Sequence, residues 1–411
     1  MTILRRAYRS ISKINLRRFT VAAFAWAFVT ILVLFATRSA QAQTYSVLLS
    51  FKNMSTGRWP LAGLVLDKTG NLYGTTSYGG THTQGTVFKL TTAGKETVLY
   101  SFAGYNDVSM QNRLYTTLIR DAAGNLYGTG GNSQGGCAGC PGAIFELTHV
   151  TGGPWTETVM HLFDGADGAH PTALIRNSSG DLYGTTFDDG AHNAGTVFKL
   201  DSTGQLTTLH NFEESTEGRG PLALVRDSSG NLYGATNMGG SFGHGTVFKL
   251  SAAGKLTILY RFTGAADGGL PNPGMVRDKS GDLYGTTAYG GNGSGTVFKL
   301  ALGSNGKWTE TVLYSFCAMV NCTDGGGPLA GVFRDAAGNL YGTTSGGGAS
   351  GLGTVFKLDA TGTETVLHSF TGPDGKSPYA GVVQDSAGNL YGTTYLGGAY
   401  GYGVVFKITP E

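Results

Sequence analysis

Charge is scarce in this sequence: Asp, Glu, Lys and Arg together supply 14% of its 411 residues. The 29 basic residues outnumber the 27 acidic ones, but seven of the basic and none of the acidic ones fall in residues 1–42. Residues 43–411 therefore carry 22 against 27, a net charge of −5. A nucleic-acid partner needs a basic stripe on the folded domain, so that class is excluded. Also missing are Gly-x-Ser-x-Gly, His-Glu-x-x-His and a phosphate loop, the short signatures that would have pointed to common hydrolases or nucleotide chemistry. No repeat unit has room for a long α-helix. What the chain has in abundance is glycine, 68 residues of it, as tightly turned β structure requires.

The N-terminus carries Arg5, Arg6, Arg9, Lys13, Arg17 and Arg18, then an apolar run from Val21 to Ala36, then Ala40-Gln41-Ala42. This order reads as a secretory signal peptide over residues 1–42, cleaved after Ala42, with an uncleaved membrane anchor as the alternative. No membrane span is expected after cleavage, and the expected location is extracytoplasmic: secreted, periplasmic or at the cell surface.

Beyond the leader, Leu-Tyr-Gly occurs seven times, at residues 72–74, 126–128, 182–184, 232–234, 283–285, 340–342 and 390–392, spaced by 50 to 57 residues. In the first unit, Leu61 to Asp67 reads as a strand and Asp67 to Asn71 as a turn. Leu72 to Ser77 is the second strand, and a Gly-rich loop runs to Gly85. Thr86 to Thr91 is the third strand, and Glu96 to Phe102 the fourth. Apolar residues on both parities of the third strand, such as Val87, Phe88 and Leu90, predict a sheet covered on both faces. Small residues in the first strands, such as Ala62-Gly63 and Ala380-Gly381, suit crowding near an axis. The fold predicted is all-β: a seven-bladed β-propeller of four-stranded blades over residues 43–411. Tyr45 to Phe51 matches a fourth strand with no partners before it, and the final unit stops after its third strand, Val404 to Thr409. The N-terminal strand is therefore expected to complete the last blade and close the ring.

The combination Asp-x-x-Gly-Asn-Leu-Tyr-Gly-Thr-Thr, Gly-Thr-Val-Phe-Lys-Leu and Glu-Thr-Val-Leu-Tyr-Ser-Phe resembles the GloVer (Gloeo/Verruco) choice-of-anchor tandem repeat of exported bacterial proteins, over almost all of residues 44–409. The resemblance implies a bacterial source and an extracytoplasmic location. It implies no settled activity and no catalytic residues. Members often end in a sorting anchor; this sequence departs from that pattern, because Lys407-Ile408-Thr409-Pro410-Glu411 carries no apolar tail. The Asp-x-x-Gly-Asn-Leu-Tyr hairpin is also similar to that of NHL-type propellers.

In such a blade, the loops between second and third strands and the blade-to-blade crossovers share one face. They vary between units while the tight hairpins stay nearly constant, so the variable face is where a ligand site is expected. Tyr78, Phe187, Asp188, Asp189, Tyr289, Tyr395, Tyr400 and Tyr402 are the candidate ligand-binding residues, since tyrosines beside Gly-rich backbone suit stacking on sugar rings. The repeated Leu-Tyr-Gly tyrosine is expected instead to wedge between sheets. Crossover Asp-Gly pairs at Asp167, Asp267, Asp324 and Asp374, each followed by a proline, read as turns rather than calcium ligands. His82, His192 and His244 are not expected to form a metal site. The four cysteines predict two local disulfides, Cys137–Cys140 and Cys317–Cys322. No metal, cofactor or catalytic residue is expected. The reading is a non-enzymatic binding or scaffold protein for a glycan or surface protein. The alternative is a propeller enzyme, a lyase or hydrolase of polysaccharides or lactones, whose asymmetric acids and histidines would include Asp188-Asp189-x-x-His192.

Overall fold

A computed structural model describes residues 43–52, 54–103, 108–109, 116–132, 141–150 and 152–409. The leader and the Cys137–Cys140 pair lie outside them. Tyr45 to Thr409 forms one compact unit, a ring of seven antiparallel sheets, the seven-bladed propeller that the repeat predicts.

Blade 1 sets the pattern from the axis outward: Val65–Leu66, Leu72–Thr76, Thr86–Leu90 and Glu96–Ser101. Its innermost strand is shorter than the Leu61 to Asp67 that the sequence suggests. Blades 3 and 4 instead keep eight-residue innermost strands, Ala169–Arg176 and Arg219–Arg226. The difference follows from spacing. The turn residue lies six positions after the crossover proline in those two blades (Pro171 to Asn177, Pro221 to Asp227) and seven in blades 1, 5, 6 and 7, as from Pro60 to Asp67; blade 2 has no proline there. The added residue is a glycine, Gly63 in blade 1, and glycine interrupts a ladder readily.

Each residue of Leu-Tyr-Gly has its own task. The leucine is buried in every blade. Most of the tyrosines are buried too, and they reach back to the turn: Tyr73 Oη donates to Asp67 at 3.0 Å and Tyr391 Oη to Asp385 at 2.9 Å. At five boundaries an arginine of the following blade lies over the ring, as Arg120 does over Tyr73 at 5.4 Å. This is the expected wedge between sheets. The glycine is steric: a Cβ on Gly184 would stand 2.2 Å from the Phe198 ring.

Neighbouring blades meet through one repeated contact. A phenylalanine ending each fourth strand packs edge-to-face on the third-strand phenylalanine of the next blade: Phe102 on Phe145 at 5.2 Å, Phe212 on Phe248 at 5.0 Å, Phe316 on Phe356 at 5.0 Å. Nearer the axis, side chains donate across the same boundaries, including Thr172 to the Pro221 carbonyl at 2.6 Å and Thr343 to that of Ala380 at 2.9 Å.

The N-terminal strand Thr44–Ser50 pairs with Val404–Thr409 as the outermost strand of blade 7. The boundary from blade 7 to blade 1 repeats the internal ones: Phe51 packs on Phe88, and Thr393 donates to the Ala62 carbonyl at 3.4 Å. Tyr45 adds a stack on His368 at 3.7 Å and a hydrogen bond to the Asp374 carbonyl at 2.6 Å. Burial pushes the Tyr45 hydroxyl far above its usual pKa, with the Asp374 charge adding to the shift.

Candidate functional site

The innermost strands surround an axial cavity of about 250 Å³. Its wall is small and apolar, with Gly63, Ala223, Gly274, Gly331 and Gly381 among the lining residues, beside a few threonines. Among the described lining residues Tyr379 is the one that titrates. The described lining residues include no carboxylate, imidazole or amine.

Where blade 7 meets blade 1, the rim carries an aromatic cluster. Tyr379 packs against Tyr395 at 5.1 Å, Tyr395 against Trp59 at 6.0 Å, and Trp59 against Tyr78 at 5.6 Å. The rings thus run outward from the cavity wall. The Arg58 guanidinium lies 4.2 Å from the ring centroids of both Trp59 and Tyr78, and 5.4 Å from that of Tyr402. Backbone bonds hold the parts in place. Arg58 N donates to the Tyr78 carbonyl at 2.8 Å, Trp59 N to Tyr402 O at 3.0 Å, and Ser77 N to Trp59 O at 3.1 Å. One crossover and two loops from different blades are thereby tied into one platform.

Trp59 occupies that platform with a left-handed backbone, φ 62°. The residue before the crossover proline does so in six blades; two of them place glycine there, Gly220 and Gly327, while His170, Leu270 and Ser377 share the strain. For a bulky side chain this conformation is an outlier, and such strain concentrates at functional positions.

Of the candidates from sequence, Tyr78, Tyr395 and Tyr402 come together here. Tyr400 is 56% exposed on the same loop as Tyr402. The others lie elsewhere on the ring. Phe187, Asp188 and Asp189 stand at the boundary of blades 3 and 4, and Tyr289, 52% exposed, stands on blade 5. Phe187 fills the space above Gly220. Asp188 accepts from Arg219 at 2.8 Å and faces His170 Nδ1 at 3.4 Å, so its partner is His170 rather than the exposed His192. Hydrogen bonding to His170, and then the Arg219 contact, hold the Asp188 carboxyl below its ordinary range despite burial; the same pair raises His170. Asp188 is thus flanked by two cationic partners, while His170 Nδ1 and Arg219 Nε are buried without a hydrogen-bond partner.

Sequence reasoning missed Arg58, Trp59 and Tyr379. The signal was the proline at fixed offset, but the other crossovers were traced by an acidic residue and glycine, and this one has Thr56-Gly57 in their place. Those acidic residues act as turn caps: Asp374 accepts from Thr371 N at 2.8 Å and contacts His368 Nε2 at 2.8 Å, and Asp267 accepts from Thr263 N at 2.8 Å. Among the described residues no group of three or more His, Cys, Asp or Glu is arranged to hold a metal. Cys317 and Cys322 form a disulfide within the crossover from blade 5 to blade 6. No helix among the described residues is long and apolar enough to cross a membrane.

The Gloeobacter/Verrucomicrobia repeat matches residues 115–321 and 307–411. The chain belongs to that repeat family. No curated protein matches this family member in sequence. In structure it is similar to the extracellular domain of a B. thetaiotaomicron protein described as a hybrid two component system, at 15% identity and TM-score 0.56, covering 89% of this chain and 41% of that one. It is also similar to the extracellular domain of a one component system from the same organism, at 10% identity and TM-score 0.52, covering 90% and 40%. The chain spans about two fifths of the length of those two proteins. At such identities the likeness shows the propeller alone. A Xanthomonas campestris gluconolactonase aligns at 12% identity over 90% of both chains, but its TM-score of 0.45 carries no argument about activity.

Proposed function

We propose that this repeat protein is an exported, non-enzymatic binding propeller whose ligand is a glycan held on the loop face where blade 7 meets blade 1. The observation that carries the reading is the continuous path of rings from Tyr379 through Tyr395 and Trp59 to Tyr78. Aromatic faces bury the C–H faces of sugar rings, and the tyrosine hydroxyls supply polar partners. The described lining of the axial cavity, which has no carboxylate or histidine, favours binding over turnover. Export is supported by the basic, apolar and Ala-Gln-Ala order of residues 1–42 and by the Cys317–Cys322 bridge, a bond that persists in oxidising compartments.

A glycan array with purified residues 43–411, run beside a hydrolase and lyase panel, tests this. Saturable binding without turnover, lost in Trp59→Gly, is the expected result. Glycine already occupies that position in two sister blades, so the substitution removes the ring while relieving the backbone. Turnover of any panel substrate, with no saturable partner, would reverse the assignment.

A further inference from the structure

Arg58 and Arg219 occupy equivalent positions, each two residues before the crossover proline. Their surroundings differ. The Arg219 fork is closed by Asp188 at 2.8 Å, with Glu214 at 4.0 Å. Arg58 lies between aromatic faces, and no carboxylate among the described residues pairs with it; its Nε is buried without a hydrogen-bond partner, as is that of Arg219, so the carboxylate is the difference between them. Stacking occupies the faces of a guanidinium and leaves the in-plane N–H edges, which match a carboxylate in bidentate geometry.

Building on the glycan reading, we propose that Arg58 makes this face selective for saccharides bearing a carboxylate, that is, uronate-containing chains, with the carboxylate on the terminal Nη edge of the guanidinium and the sugar faces on Trp59 and Tyr395. Long-range attraction does not produce such a preference, because residues 43–411 carry a net charge of −5. Selectivity for the acid must come from the local cation. A charge-assisted pair of this kind contributes on the order of tenfold or more in affinity.

The test is titration calorimetry of residues 43–411 with a galacturonate oligomer and with its carboxyl-reduced, neutral counterpart. The parent is expected to bind the acidic oligomer at least about tenfold more tightly. Arg58→Gln should lower the acidic affinity more than the neutral one and bring the two within about twofold of each other, while Trp59→Gly should weaken both by similar factors. Arg58→Lys, which keeps the charge and loses the planar fork, should fall between parent and Arg58→Gln; should the glutamine variant not fold, a lysine variant with the parent's full preference overturns the proposal. Equal binding of the two oligomers by the parent, both lost in Trp59→Gly, overturns the uronate selectivity and leaves the glycan reading standing. Binding of neither oligomer counts against both.

Discussion

Phe51 and Phe88 meet edge-to-face with ring centroids 5.3 Å apart and planes at 72°, joining the start of the described chain to blade 1. The other blade boundaries use the same pair, so the junction where the chain ends meet is built like the internal ones. Phe51 is fully buried. Phe51→Ala should cost about 3–5 kcal/mol, a large share of a domain's stability. Equilibrium denaturation of the variant beside the parent measures it; a change below about 1 kcal/mol would mean that the ring does not depend on this strand.

The Leu-Tyr-Gly glycine excludes a methyl group. At Gly184 a Cβ would meet both the Phe198 ring at 2.2 Å and the Ala173 carbonyl oxygen at 2.6 Å. Gly184→Ala should therefore destabilise by about 1–3 kcal/mol through overpacking. Thermal melts report this, and a parent-like melting temperature would show that the blade repacks freely.

Two glutamates on fourth strands face carboxylates of the preceding boundary. Burial and then the charge of Asp267 push Glu310 up to about 7, and burial and then Asp324 do the same for Glu364. The hydroxyls of Tyr260 and Tyr314 lie beside the two sites and are themselves raised, by burial first and then by bonding to those aspartates. A carboxyl raised in the folded state binds its proton more tightly there. Its contribution is thus fully present below the unfolded value near 4.5 and is lost as pH rises through about 7. Glu310→Gln and Glu364→Gln should leave stability at pH 5 nearly unchanged and raise it at pH 8. Denaturation at the two pH values checks the sign, and a variant less stable than the parent at pH 8 would contradict it.

The turn aspartates carry the opposite sign. Burial raises Asp385, but hydrogen bonds from Asn389 and Tyr391 outweigh it and hold the carboxyl low. Its contribution is present above the unfolded value and lost as pH falls toward the folded one. Asp385→Ala should cost about 1–2 kcal/mol at neutral pH, and the difference from the parent should narrow in acid. A difference that stays constant down to pH 3 would assign the loss to packing instead.

The Cys317–Cys322 bridge closes a short loop and should contribute about 2 kcal/mol. Non-reducing peptide mapping should recover it, and reduction should lower stability by about that amount. Two free thiols at these positions would refute the pairing.

Most of the fold was legible because the repeat supplies seven copies of one solution. Leu72, Tyr73 and Gly74 show their roles through recurrence, and the missing strands at the two ends of the array require each other. The site was legible only in part. Tyr78 is far from Tyr395 and Tyr402 in the chain, and only closure of the ring sets Tyr78 and Tyr402 around Arg58. Trp59 escaped because its crossover lacks the acidic turn residue by which the others were traced. Asp188 was visible as a charge, but its pairing with Arg219 depends on contact between blades, which no local pattern records.

The ring closure, and with it the platform that Trp59 and Tyr402 share, is tested most directly by hydrogen–deuterium exchange on residues 43–411. Amides of Tyr45 to Phe51 should exchange as slowly as those of the equivalent fourth strands Glu96–Ser101 and Glu364–Ser369. Rapid exchange in that segment, with the other fourth strands protected, would show an open ring and contradict the seam on which the site is built.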